Sequence, residues 1–460
     1  MSATGSTGPR RPNILVIMSD EHDPAVMGCA GHPLVQTPNL DRLAGEGTLF
    51  ESAYCNSPIC VPSRMAFFAG NYCHRIGVWD LGSPLRAEIP TFGHYFTAAG
   101  YETVLCGRTH MAGDDRLHGF GTRLFDDMDA WRSRQAPRRT PEARRGSNSH
   151  VTECGPGRGA WYDYDTTVAD LSTRFLQGKA ARPSERPWLL YSGLMYPHFP
   201  LTCPPEYYRR YDPAAVTPAD LRGETLADQH PAIRHLRYAF RNEAVVPEAV
   251  QRQALASYYG LVTLVDDLLG SMLAAIDDSP LADNTVVLYV SDHGEMAGQH
   301  GIWQKQCFYE ASVRTPMILR RPRGAGGRRV GANVSLVDVL PTLLDLAGID
   351  IPPGLPGSSL AHLQPGAGGD DRVVFSEYHA QGMLQGGFMV KRGDWKYNYY
   401  VGHEPQLFDL SEDPGEFHDL AADPRCASVR AELHRELLNI VDPEQVSDRA
   451  LRDQERRLRA

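Results

Sequence analysis

Four apolar runs in this chain each end on residues that can handle an anion or a metal ion. Asn13 to Met18 leads into Ser19-Asp20-Glu21-His22, and Thr103 to Cys106 leads into Gly107-Arg108-Thr109-His110. Trp188 to Met195 leads into Tyr196-Pro197-His198, and Thr285 to Val290 into Ser291-Asp292-His293-Gly294. Asp20, Glu21 and Asp292 with His293 make three carboxylates and one imidazole, a mostly hard donor set that suits Ca2+ or Mg2+ better than a thiolate zinc centre. Any one of these acids alone also reads as a solvated cap or a salt-bridge partner. A fifth segment, Ser57-Pro58-Ile59-Cys60-Val61-Pro62-Ser63-Arg64 followed by apolar Met65 to Ala69, places Cys60 at an expected helix N-terminus. The positive end of a helix favours an anion, and Arg64, one turn on, can point back at it. A depressed thiol pKa is one reading of Cys60; a small buried hydrophobe is the other.

The elements that must position these residues follow from the runs themselves. Short, unalternating apolar stretches read as parallel strands covered on both faces. In open α/β sheets the ligand crevice lies beyond the carboxyl ends of such strands, so four chemically loaded ends predict one convergent site. Pro247 to Ile276 is expected as a crossover or packing helix. Ala136 to Gly159 reads as an exposed loop, Arg320 to Gly331 as a Gly/Arg turn region, and Pro352 to Gly369 as a linker. Beyond it Val373 to Tyr378 and Gly387 to Val390 look like strands, and Asp423 to Ala460 looks charged and helical. Boundaries follow: a disordered leader over 1–11, a catalytic domain over 12–365 and a small C-terminal α+β subdomain over 366–460.

The chain has 460 residues and a formal charge of −10, which disfavours nucleic acid or an anionic membrane as a whole-surface partner. An anionic substrate would need a local basic pocket. The longest apolar runs are strand-sized, far below the ~20 residues of a membrane span, and the Gly/Ser/Thr/Pro/Arg start has no apolar core of a secretory signal. Nine irregularly spaced cysteines form no disulfide or zinc-finger pattern, so free thiols in the cytoplasm are expected. Only four of the 46 basic residues are lysines, Lys179, Lys305, Lys391 and Lys396, which marks each as worth attention in a chain that otherwise uses Arg.

The Cys-x-Pro-Ser-Arg segment, with Tyr54-Cys55 and Thr37-Pro38-Asn39-Leu40-Asp41-Arg42-Leu43-Ala44 before it, closely resembles the type I sulfatases. The resemblance implies an alkaline-phosphatase-like α/β fold, with a mixed, mostly parallel sheet flanked by helices, and hydrolysis of a small-molecule sulfate ester. It implies that Cys60 is oxidised by a formylglycine-generating enzyme, and that the hydrated aldehyde attacks sulfur and then releases sulfate by collapse of a hemiacetal. The metal, usually Ca2+ with Mg2+ or Mn2+ as alternatives, would be held by Asp20, Glu21, Asp292, His293 and the modified Cys60. Arg64 would anchor the nucleophile, Arg108 and Lys305 bind sulfate oxygens, His110 serve as the base for collapse, and His198 donate to the leaving oxygen. Arg108 stands where the family normally has Lys, so it reads as an electrostatic clamp rather than an acid. By resemblance His293 tilts the site towards the choline sulfatase and phosphonate hydrolase side, while the segments Tyr54 to Cys60 and Cys106 to Phe120 look most like choline sulfatases. A phosphonate monoester or phosphodiester hydrolase on the same scaffold is the alternative, and an anion-binding protein with unmodified Cys60 a further one. The run Trp161-Tyr162-Asp163-Tyr164-Asp165 reads either as a cage for a quaternary ammonium or as a helix start packed on the core. A homo-oligomer is compatible with the composition.

Overall fold

The computed structural model describes residues 10–127, 139–322, 324–364 and 372–459. The expected leader therefore lies almost wholly outside the described residues. Among the described residues fourteen strands run in chain order: β1 Asn13–Asp20, β2 Thr48–Tyr54, β3 Glu102–Gly107, β4 Thr122–Phe125, β5 Gly155–Pro156, β6 Trp188–Pro197 and β7 Thr202–Cys203. After them come β8 Thr285–Ser291, β9 Met317–Arg320, β10 Arg328–Ser335, β11 Val373–Tyr378, β12 Gly387–Arg392, β13 Trp395–Tyr400 and β14 Gln406–Asp409.

Eight of them form one sheet in the order β10-β2-β9-β8-β1-β6-β3-β4. Every pairing in it is parallel except those of β9, which runs antiparallel to β2 and β8. The four strands singled out by their endings, β8, β1, β6 and β3, are consecutive neighbours and parallel. Their side chains alternate between two cores: Ile14, Val16 and Met18 enter one, Leu15 and Ile17 the other. The helix Cys60–Ala69 packs in the first core, while Ala160–Ala181 and Glu248–Asp277 cover the opposite face. This two-sided burial is why the runs show no polar alternation.

Glu248–Asp277, 30 residues long, is the one described helix apolar enough to cross a membrane, yet 67% of its apolar window is buried against the sheet. β11 to β14 form a separate antiparallel sheet, covered by the helices Ala427–Ile440 and Pro443–Arg459. The fold is therefore the expected α/β sandwich with a C-terminal antiparallel sheet. Three local expectations are corrected. The Gly/Arg turn region holds the end of β9 and the start of β10, because Arg328 and Arg329 pair with Thr48 and Leu49 of β2. Within Ala136 to Gly159 lie a short helix, Ser149–Thr152, and β5, with His150 and Val151 buried. In the linker segment Leu360 is buried and its N–H donates to Thr342 Oγ1 at 2.8 Å, so its described part is packed.

Candidate active site

Cys60 is the first residue of its helix, and Arg64, one turn on, is completely buried. A buried guanidinium must satisfy its donors, and Arg64 does so at the strand ends. Nε donates to Asp292 Oδ2 at 2.8 Å, one terminal nitrogen to Asp20 Oδ2 at 3.0 Å, and the other to Arg108 O and Tyr191 Oη. Arg108 adds a second cation to Asp20 Oδ2 at 2.7 Å. Burial opposes ionisation of Asp20, but Arg108, His198 and Arg64 together hold its carboxyl well below the usual range.

With both Oδ2 atoms engaged by arginine, the Oδ1 atoms face inward. Cys60 Sγ lies 3.6 Å from Asp20 Oδ1 and 3.3 Å from His293 Nε2. His293 Nε2 lies 3.8 Å from Asp20 Oδ1 and 3.6 Å from Asp292 Oδ1. His293 Nδ1 sits 3.0 Å from Gly294 O, which assigns the proton to Nδ1 and leaves the Nε2 lone pair for a metal. Asp20, Cys60, Asp292 and His293 thus place ligand atoms within 4.8 Å of one another. The donor set fits a divalent cation: two carboxylate oxygens and a lone-pair imidazole, already oriented by second hydrogen bonds.

Glu21 stands apart from that quartet and instead groups with Asp20 and His198. Its Oε2 lies 2.9 Å from Lys305 Nζ and 3.4 Å from His198 Nε2. Burial pushes the Glu21 carboxyl well above its ordinary value, against the pull of Lys305 and with the push of Glu295. His198 is held well below the usual imidazole range by burial and Lys305. Its Nδ1 lies 2.6 Å from Phe199 O, so Nε2 of the neutral ring is an acceptor, and donation to a leaving oxygen requires the imidazolium. Lys305 is 2% exposed, and Cys60, Glu21 and Asp20 raise its ammonium pKa above the ordinary value despite burial.

His110 is buried in the loop after Arg108, with φ +58° and its N–H on Asp127 Oδ2 at 2.8 Å. The Cys60 thiol is not depressed: burial and Asp20 push it up to about 12, which corrects the helix-dipole expectation. The aromatic run opens the helix Ala160–Ala181 and is spent on packing. Trp161 Nε1 donates to Phe199 O, Tyr164 Oη to Asp126 O, and Asp165 accepts from Met195 and Tyr196 N. His22 and His300 are hydrogen-bonded structural residues.

Sequence reasoning missed Glu295, whose Oε1 accepts from Ala297 N at 2.8 Å and Gln304 N at 2.7 Å and so ties down the loop that presents Lys305. Its one visible signal was its place two residues after His293. It also missed Asp127, which accepts from Thr109 N, Thr109 Oγ1 and His110 N, and Tyr191, which donates to Arg108 O.

Residues 12–349 match the Sulfatase family model, and 298–442 match the model for the C-terminal part of N-sulphoglucosamine sulphohydrolase. The chain belongs to the sulfatase family. This sulfatase is 31% identical over 436 residues to the choline-sulfatase of Rhizobium meliloti, covering 90% of its own length and 83% of that protein. It is 30% identical over 473 residues to arylsulfatase K of Xenopus laevis, covering 96% and 85%. Its fold matches the phosphonate monoester hydrolase of Agrobacterium radiobacter with a TM-score of 0.77, 26% identity, and coverage of 94% and 95%. The sulfatase is an enzyme that hydrolyses sulfate esters, and membership implies a metal ion and a formylglycine.

Proposed function

We propose that this sulfatase works with Cys60 oxidised to formylglycine and with Ca2+, ahead of Mg2+ or Mn2+, held by Asp20, Asp292 and His293, with Glu21 at its edge. Once formed, the hydrated aldehyde supplies a gem-diol nucleophile, and the bound cation supplies charge for a sulfate oxygen. The chain's own residues do the rest. Arg64 locks Asp20 and Asp292 in place, so the nucleophile's neighbours cannot rotate away. Arg108 keeps its charge at all working pH values and clamps sulfate oxygens. Lys305, an ammonium in a buried site, delivers the proton towards the bridging oxygen, while neutral His198 offers Nε2 as an acceptor rather than the donor that the resemblance implies. His110 takes the proton on collapse.

The observation that carries this reading is the surroundings of Cys60. A thiol held at about 12 is a poor nucleophile at neutral pH, yet it faces two carboxylates, an imidazole and a lysine. Conversion to a gem-diol resolves that mismatch, and the conversion requires a formylglycine-generating enzyme as a maturation partner. Peptide mass at Cys60, in protein from the native host, should show formylglycine, and Cys60→Ala should be inactive. An unmodified thiol together with a fully active Cys60→Ala variant overturns the proposal. Asp292→Ala should lose bound metal and activity together; wild-type metal content in that variant removes Asp292 from the ligand set. The likeness to a phosphonate monoester hydrolase favours a second reading, promiscuous or primary cleavage of phosphonate monoesters. Comparing aryl sulfate with aryl phosphonate and phosphodiester decides between them.

A further inference from the structure

A cavity of about 370 Å³ lies between residues 74–86 and the helix Pro443–Arg459, and it shares no lining residue with the reaction site. Small-molecule sites fall at roughly 300–1,000 Å³. Five arginines line it, Arg75, Arg86, Arg449, Arg456 and Arg457, against one carboxylate, Asp453. Arg456 pairs with Asp453, Arg457 with Asp80 and Arg86 with Glu88. Arg75 and Arg449 have no such answer: among the described residues no carboxylate lies within ion-pair distance of either. Arg75 gives one donor to Gly354 O at 3.4 Å and lies over Tyr72 at 5.6 Å. Arg449 donates to His74 O and lies over Trp79 at 5.0 Å. A carbonyl and an aromatic face leave most of a guanidinium's charge and donors free.

Exposed arginines alone would be a solvated rim; the floor beneath them makes a site. Ser83, 1% exposed, accepts from Trp79 N at 3.0 Å and Asp80 N at 3.2 Å, and its own proton meets no acceptor among the described residues. His74, 8% exposed, gives its N–H and Nδ1 to Glu377 Oε1 at 2.8 and 2.9 Å, while Nε2 makes no hydrogen bond among the described residues. The carboxylate keeps a proton on Nδ1, so Nε2 accepts from a hydroxyl when the ring is neutral and donates to an oxyanion when it is charged. Glu377 N donates in turn to Asn56 O, and Cys73 Sγ to Pro62 O, which fixes the floor to the body of the protein. Held polar groups with unspent bonding capacity are what a ligand can satisfy without an ordering cost.

We propose that this cavity binds a phosphate monoester of sugar-phosphate or nucleotide size, its phosphate taken by Arg75, Arg449 and the Ser83 hydroxyl and its hydroxyl-bearing body set against His74 and Ile76. A phosphate monoester carries about −1.5 to −2 at pH 7, which matches two unanswered cations. A sulfate monoester brings a single charge and matches half of them. A free inorganic ion would leave most of the cavity unfilled. Guanidinium groups pair with phosphate oxygens through two parallel hydrogen bonds. The site is separate from ester hydrolysis and stands whether or not the sulfatase reading holds.

The test is calorimetric binding of four probes to full-length Cys60→Ala protein: glucose 6-phosphate, adenosine 5′-monophosphate, glucose 6-sulfate and inorganic phosphate. At least one of the two phosphate esters should bind at one site. Arg449→Ala added to that protein should weaken its binding at least about tenfold, and Arg449→Lys should recover part of the loss. Glucose 6-sulfate, with the body of glucose 6-phosphate and less charge, should bind at least about tenfold more weakly than that ester. In formylglycine-bearing enzyme the pair Arg75→Ala and Arg449→Ala should leave turnover of 4-nitrophenyl sulfate within about twofold of wild type, as for surface substitutions away from the reaction. No binding of either phosphate ester, or an affinity unchanged in Arg449→Ala, overturns the site. Equal affinity for glucose 6-sulfate and glucose 6-phosphate overturns the charge match, and inorganic phosphate binding as tightly as the esters overturns an organic ligand. Turnover that falls along with binding in the double variant would place these arginines in the reaction site instead.

Discussion

Lys305, Lys391 and Lys396 are 2%, 4% and 0% exposed in a chain whose other basic residues, apart from Lys179, are all arginine. Arg64 and Arg108 are fully buried too, so the local shape of the partners rather than burial decides where a compact ammonium stands. Lys396 shows why: its Nζ lies between Glu310 at 3.0 Å and Glu416 at 2.6 Å, a space for three short donors rather than a planar fork. Lys396→Arg should therefore destabilise the fold by about 1–3 kcal/mol, through overpacking and imperfect pairing, as measured by denaturant unfolding. Lys305→Arg should keep sulfate binding but misplace the donor at the bridging oxygen. We expect kcat to fall roughly 10- to 100-fold with KM changed less than about threefold; unchanged kcat with raised KM would instead make Lys305 a binding residue. Residue types were legible here because rarity itself carried information. Glu295 was not, because its role depends on which backbone amides the fold brings beside it.

At the level of elements, the apolar runs and their loaded ends were readable because a strand buried on both faces has no polar alternation to hide its limits. The antiparallel β9 was not, since four residues of Met317–Arg320 carry no mark of direction. Nor was the close approach of β3 and β6 that places Arg108. A Cβ on Gly193 would lie 2.0 Å from Arg108 O, the carbonyl that receives Arg64 and Tyr191. Gly107, at φ +82°, would meet Gly193 O at 2.3 Å. Gly193→Ala should cost about 1–3 kcal/mol and lower activity more than that loss of folded protein explains, checked by turnover normalised to folded fraction.

The docking of the second sheet is a further element-scale device. Glu377 on β11 accepts from His74 N and Nδ1 and pairs with His379, and these partners overcome burial to hold its carboxyl at about 2, below the ordinary 4.5. A depressed folded-state value stabilises above the unfolded pKa and is lost as pH falls towards the folded one. The stability gap between wild type and Glu377→Gln should therefore be full near neutrality and shrink as pH drops from about 5 to about 3; a gap that widens there would reverse the assignment.

For the molecule as a whole, a net charge of −10 surrounds a buried site in which Arg64, Arg108 and Lys305 face Asp20, Asp292 and Glu21. The two sets match in number. Sites built from carboxylates alone repel themselves without their ion and tend to fold only around it. Here arginine and lysine already answer the acids, so the fold does not need the metal even if the chemistry does. Exhaustive chelation should abolish sulfate ester hydrolysis while shifting the thermal unfolding midpoint by less than about 5 °C, because the metal stabilises only by mass action on an already folded pocket. Unfolding on chelation would show that the ion, rather than the arginines, holds the four strand ends together. A retained midpoint with lost activity, restored by Ca2+ addition, would place the metal in catalysis and leave the architecture to Arg64.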